Sequence, residues 1–345
     1  MGWYDKDWSN RKKITIDNTK VSGSGSHSNF PVLVLLASDT ELANTAQDDG
    51  DDILFTSSDG ETKLDHELVS FNGATGALIA WVRIPSLSTS ADTDIYMYYG
   101  NAGASSQENA ASVWTTGGKY VAVYHLENDA NDSTGNHNGT NNGGDFVTGK
   151  VGTGIQFIKA NSDRISISSH ADFDFGVDDP FAWVFWAKYP TGASSWERVF
   201  TRQSSGYTIC SAWSGDGFKF MFNEEANSIL TGDVCDDTWR YFAWVFNKTD
   251  DKMHLVINNS EYGSGVSISG KTQSGGDIGL GAAPSGGNPS NAYMDEVRIV
   301  QNIEDLNWFI TEYNNQNSPS TFYTLGSEEN KPVTGQFMSL NTKYW

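Results

Sequence analysis

At 345 residues the chain exceeds what one hydrophobic core usually serves, so two domains are expected. Its 43 acidic and 22 basic side chains give a net charge of −21, a field that repels phosphate backbones and anionic headgroups and argues against nucleic acid and membrane surfaces as partners. No apolar run approaches the roughly 20 residues of a membrane helix, and two cysteines, Cys210 and Cys235, are too few for a disulfide scaffold or a cysteine zinc site.

Aromatic residues make up 13% of the chain and charged residues only 19%, with Gly, Ser, Thr and Asn abundant. Large rings suit pleated surfaces and small polar residues suit turns, so an all-β chain of two β-sandwiches with a few short helices is predicted. The opening residues Met1 to Lys6 lack the basic and apolar regions of a signal peptide. Two routes out of a cell fit: a leader already removed, or release by host lysis, as for a virion protein.

In the first domain, residues 1–108, two-residue alternation predicts strands at 12–17, 30–36, 52–56, 66–71, 77–84 and 94–99. Ser38 followed by Glu41 reads as a capping box opening a short helix at 39–46. Residues 109–119 read as a linker around Thr115-Thr116-Gly117-Gly118. In the second domain, residues 120–326, eleven strands from 120–126 to 292–300 predict a jelly roll of two facing sheets. Ile303, Leu306, Ile310 and Tyr313 recur at helical spacing over 304–314, and 321–325 adds an edge strand. The tail, 327–345, is polar but carries Phe337, Met338, Leu340, Tyr344 and Trp345, which reads either as a segment docking on a partner or as a disordered end.

Six blocks in the first domain occur in order: Trp8 to Ile16, Asn29 to Val32, Asp49 to Ile53, Lys63 to Glu67, Ala80 to Pro85 and Ile95 to Ala102. They resemble a family of bacterial, archaeal and phage surface domains of unknown function that commonly precede a laminin-G-like module. In the second domain His125-Leu126, Asp132 to Thr140, Phe181 to Trp186 and Met294 to Ile299 resemble the concanavalin A-like, laminin-G-type jelly roll of lectins and carbohydrate-binding modules. The resemblance implies a lectin-like fold without naming a glycan.

It also implies a calcium site in many relatives. Asp132, Asn136 and Asn138 share one turn-rich loop, and Asp295 lies on a late strand that such jelly rolls place near the first. Together they offer the oxygen ligands Ca2+ requires. Asx turns are the other reading of Asp132 and Asn136. Trp196, Tyr207 and Trp213, flanked by Ser, Gly and Asp, form a candidate glycan platform, because sugar C–H faces stack on rings and Asp or Asn accepts hydroxyl hydrogen bonds. Core packing is the alternative, and it is expected for Trp183, Trp186, Trp239 and Trp244.

Catalysis has little support. The Glu-x-Asp-x-Glu strand of concanavalin-like glucanases does not occur, and adjacent Asp295 and Glu296 point to opposite faces of a regular strand. Asp65 and Glu67, two apart, are the best carboxylate pair. The six histidines show no His-x-x-x-His or Glu-x-x-His spacing. The expected protein is therefore non-enzymatic and located extracellularly or on a virion surface, of tail-fibre, adhesion or capsid-decoration type. It is expected to be a homo-oligomer whose partners are a glycan or surface polysaccharide and the proteins of the virion or surface assembly. A purely structural assembly protein is the alternative, and a glycoside hydrolase the third reading.

Overall fold

The structure is a computed structural model that describes residues 2–332 apart from 204–206, 214, 216 and 304. Most of the predicted tail lies outside the described residues. The first sandwich faces a five-stranded sheet against a three-stranded one. The five-stranded sheet runs in the order Tyr323–Asn330, Asn10–Ile16, Thr93–Tyr99, Leu54–Ser57, Lys63–Leu64, and the smaller sheet in the order Ser26–Leu36, Ala77–Ser88, His66–Asn72. Alternate residues such as Ile14, Ile16, Ile95 and Met97 meet Val32, Val34, Ala80 and Val82 in the core between them.

The jelly roll pairs a seven-stranded sheet with a nine-stranded one. Phe181–Lys188 and Arg240–Asn247 are central in the larger sheet and nearly uniformly apolar. Both their faces are buried. Phe181, Trp183, Phe185, Phe242, Trp244 and Phe246 fill the jelly-roll core, while Ala182, Val184, Trp186, Tyr241, Ala243 and Val245 belong to the same apolar cluster as the first sandwich. A sheet covered on both sides has no solvent face to alternate with.

The helix Leu306–Asn317 fills the space between the sandwiches, touching Ser26–Leu36 on one side and Arg240–Asn247 and Lys252–Ile257 on the other. Asp305 caps it by accepting from the Asn307 N–H at 3.0 Å. Its buried face carries polar groups with partners. Asn315 accepts from the Leu33 N–H at 2.6 Å and donates to the Leu33 carbonyl at 3.1 Å, imitating a neighbouring strand. Gln316 accepts from Trp186 Nε1 at 2.6 Å.

Three sequence expectations change. The N-cap of the first helix, Thr40–Thr45, is Asp39 rather than Ser38: its carboxylate accepts from the Glu41 and Leu42 N–H groups. Trp239 is only partly buried, at the edge of the apolar cluster. The last strand, Tyr323–Asn330, pairs antiparallel with Asn10–Ile16 of the first sandwich, from Asn330 opposite Asn10 to Tyr323 opposite Ile16. A domain boundary at 326 cuts this strand, because pairing between opposite ends of the chain, Asn10 with Asn330 and Ile16 with Tyr323, leaves no local signal. Cys210 and Cys235 are both buried thiols outside any disulfide, and Cys235 Sγ donates to the Gly217 carbonyl at 3.6 Å.

Candidate functional site

Three places were marked by the sequence, and the structure treats each differently. Strands Glu197–Arg202, Thr208–Trp213 and Gly217–Phe222 adjoin in the seven-stranded sheet, with Arg198 opposite Ser211, Ser211 opposite Lys219, and Thr201 opposite Ile209. Phe200, Cys210, Ala212, Phe218 and Phe220 point into the core. By alternation, with a bulge between Arg198 and Phe200 restoring Thr201 to the same side, Arg198, Thr201, Ser211, Trp213 and Lys219 share the outward face.

Trp196 precedes the first of these strands with φ 72°, a left-handed conformation that a bulky side chain seldom adopts. Its ring is 37% exposed and meets Trp213 edge to face at 4.8 Å. The Lys219 ammonium lies 4.3 Å from the Trp213 ring and the Arg198 guanidinium 5.7 Å from Trp196. Burial lowers the Arg198 pKa, and the nearby Tyr207 hydroxyl partly restores it. Trp196 and Trp213 thus meet, joined by Arg198 and Lys219, which composition alone did not single out, while Tyr207 stands at the far end of strand Thr208–Trp213 and reaches only the Arg198 charge. Among the described residues, Arg198 Nε and Nη1, Thr201 Oγ1 and Ser211 Oγ are buried without a hydrogen-bond partner. Such groups cost stability unless something completes them.

The second place is the loop read for calcium. The Asp132 carboxylate accepts from the N–H groups of Val123, Thr134, Asn136 and His137 at 2.8 to 3.2 Å and from the Thr134 hydroxyl. Asn138 Oδ1 accepts from the Asp132 N–H at 2.9 Å, and Asn136 Nδ2 donates to the Thr134 carbonyl at 3.3 Å. These residues form the Asx-turn alternative, their oxygens turned onto hydrogen donors. Asp295 lies elsewhere. Its Oδ2 accepts from the Lys150 and Val151 N–H groups at 2.7 and 2.8 Å, and burial together with the Glu296 charge pushes its carboxyl well above the usual range. A carboxylate filled by N–H donors and a second that favours its neutral form do not fit a shared Ca2+.

The third place is Glu67, which does not pair with Asp65. Asp65 is held by Arg83 and Asn109. Glu67 faces the second sandwich, accepting from Ser133 Oγ at 2.7 Å, Trp114 Nε1 at 2.6 Å and His125 Nε2 at 3.2 Å. The other nitrogen of His125 lies 2.9 Å from Glu296. Burial lowers the His125 pKa, but the Glu296 and Glu67 carboxylates outweigh it and hold the imidazole up to about 10. Burial likewise raises Glu67, and the His125 charge and hydrogen bonds bring it below its ordinary value.

Arg298 donates to Glu296 at 2.7 Å, lies 3.4 Å from Glu312, and stacks 4.4 Å over Trp81. A bulge opposite Phe185, with Glu296 at φ 49°, turns Glu296 toward His125 while Asp295 faces the 149–151 loop. A cleft of about 350 Å³ opens beside this cluster, lined by Glu67, His125, Glu127, Asp129 and Ser133. Glu67, His125, Glu296 and Arg298 are held by one another's charges, which describes a structural junction. The sequence signal, His125-Leu126, was visible, but its partners are 58 and 171 residues away.

Two facing antiparallel sheets with an aromatic, cationic outer patch define a lectin-type jelly roll. Residues 159–303 match the sequence profile of the concanavalin A-like lectin/glucanases superfamily, and residues 49–138 match a domain of unknown function (DUF2341). The chain therefore carries a domain of unknown function followed by a concanavalin A-like domain, the order its sequence blocks imply. None of the curated proteins matches the sequence.

Among solved structures, the binding domain of Paraclostridial Mosquitocidal Protein 1 is 16% identical with a TM-score of 0.47, over 56% of this chain and 52% of its own. Domain 4 of AbnA, a GH43 extracellular arabinanase from Geobacillus stearothermophilus, in complex with arabinotriose, is 18% identical with a TM-score of 0.46, over 57% and 98%. The binding domain of botulinum neurotoxin serotype G is 13% identical with a TM-score of 0.45, over 56% and 50%. The chain spans about half the length of the two toxin binding domains.

Proposed function

We propose that the chain is a non-enzymatic, extracellular glycan-binding protein that takes its ligand on the outer face of the seven-stranded sheet, at Trp196, Tyr207 and Trp213. The observation that carries this reading is the exposed, left-handed Trp196 set against Trp213 and Lys219, above buried polar atoms of Arg198, Ser211 and Thr201 that lack partners. The rings supply a platform for sugar C–H faces, and Arg198 supplies donors for hydroxyl oxygens, while Lys219 is already paired with Glu225 and the chain's charge of −21 disfavours a polyanionic ligand. Binding rather than hydrolysis is supported by the engagement of Asp65 and Glu67 in ion pairs.

In this reading the protein is displayed on a cell or virion surface, of tail-fibre, adhesion or capsid-decoration type, and acts as a homo-oligomer. Several shallow sites then combine through avidity into useful retention. The test is a glycan and bacterial-polysaccharide array. The expected result is specific binding, reduced at least tenfold by Trp196→Ala or Trp213→Ala while the melting temperature is held. No binding by the unaltered chain, or binding indifferent to both substitutions, overturns the site and leaves the structural-assembly reading.

A further inference from the structure

We propose that His137, His170 and Asp172 form a binding site for a divalent transition-metal ion of the zinc class. His137 ends the turn built on Asp132, its N–H donating to that carboxylate at 3.0 Å and its carbonyl accepting from the Tyr124 hydroxyl at 2.6 Å. His170 and Asp172 come from the short 3-10 turn Ala171–Phe173 that faces it. One potential ligand atom from each residue lies within 4.8 Å of the others. The Asp172 carboxylate sits between the rings, 3.1 Å from His137 Nε2 and 3.3 Å from His170 Nδ1.

Two imidazoles and one carboxylate are the donor set that zinc-class ions prefer, whereas Ca2+ seeks six or more oxygens. A tetrahedral ion with bonds of about 2.0 to 2.1 Å requires the donors to draw together by roughly an ångström. The exposed pair has room for that movement: the His170 and Asp172 side chains are 55% and 54% exposed, while His137 is buried. His137 rests on Phe173 with ring centroids 4.6 Å apart, which holds its orientation. The contact that a metal at His170 Nδ1 must displace is the Asp172 N–H, at 3.2 Å. A cleft of about 200 Å³, with Asp172, Asn136 and Tyr120 in its wall, leaves room for water or ligand oxygens at the remaining positions. The bound ion would tie the 132–138 turn to the 170–173 turn.

The site is independent of the glycan patch and is tested without a glycan. The full chain, stripped with chelator and dialysed, is titrated with ZnCl2 by calorimetry and followed by thermal melting. Expected are one ion per chain and a raised melting temperature, because an ion that prefers the folded state stabilises it. His170→Ala and Asp172→Ala, both at half-exposed positions that leave the fold intact, are expected to weaken binding by at least about tenfold. His254→Gln, at a histidine set between Asp250 and Glu261, leaves it unchanged. Co2+ in place of Zn2+ is expected to give a visible absorption band that His137→Gln alters. No stoichiometric binding, or binding that survives both alanine variants, overturns the site and leaves a histidine–aspartate ion pair only.

Discussion

His125 Nε2 lies 3.2 Å from the Glu67 carboxylate, and through this contact the two sandwiches share a charge that neither can bury alone. Replacing the imidazolium with an uncharged group strands Glu67 in the interior and leaves Glu296 to Arg298 alone. His125→Gln is expected to cost about 3 to 5 kcal/mol in denaturant unfolding, the usual penalty for breaking a buried pair. The pH dependence follows from the raised pKa. With the folded-state imidazole near 10 and the unfolded one near about 6.5, the stabilisation is complete below about pH 6.5. It drains away as pH rises toward 10. A wild-type stability curve flat from pH 6.5 to 10, or one that His125→Gln does not flatten, contradicts the assignment.

Arg198 is placed for binding at a cost to the fold. Its Nε and Nη1 are buried without partners, so Arg198→Met, similar in length and uncharged, is expected to raise stability by about 1 to 3 kcal/mol. Glycan retention is expected to fall in the same variant, the trade between activity and stability that a functional site shows. Calorimetric melting and array binding on one preparation read both quantities. A variant that loses stability removes the argument that the guanidinium awaits a ligand.

Asp132 organises its loop by accepting from four backbone N–H groups. Asp132→Ala leaves four backbone N–H groups unpaired and is expected to destabilise by about 3 kcal/mol or more, measured by urea unfolding. Millimolar Ca2+ added to the unaltered chain is expected to leave the melting temperature unchanged, and a calcium-dependent rise lost in Asp132→Ala would restore the calcium reading.

Strand Tyr323–Asn330 covers the edge of Asn10–Ile16, and Trp308, Phe309 and Phe322 enter the shared core. A fragment of residues 1–119 is therefore expected to be unfolded or aggregated, since it exposes an unpaired strand edge and a bare apolar face. A peptide of residues 303–332, added in trans, is expected to restore dispersed amide signals in a heteronuclear NMR spectrum. A fragment that folds without the peptide refutes the dependence.

Strand positions were legible because alternation and aromatic content act locally. Glu197–Arg202 falls where its sequence places it, and Phe181–Lys188 is recognisable by its unbroken apolar run. The short polar strands Thr140–Asn142 and Asp145–Thr148 were not, since their exposed side chains carry no periodic signal. Trp196, Tyr207 and Trp213 were nominated together as a platform, yet nothing local signalled the left-handed backbone of Trp196 or ranked Arg198 and Lys219 beside it. Asp132 looked like a cation ligand because a carboxylate in an Asn-rich loop serves either purpose. Only the direction of four N–H groups separates the two. His125 and Glu296 meet through strand pairing across the sheet, and no spacing rule in one sequence reports such a meeting.

The pairing of residues 10–16 with 323–330 makes the jelly roll an insert within the first sandwich. On the ribosome, the strands up to Tyr99 emerge long before the one that completes their sheet. They must wait through some 220 residues of synthesis with a hydrogen-bonding edge uncovered. The inserted jelly roll, whose own strands pair entirely within it, can close during that interval. Its closure also carries the final helix and strand back to their docking face, shortening the loop that the last pairing has to span. The topology thus leads us to expect the inner unit to assemble first and the outer unit last, the reverse of the order in which the chain begins them.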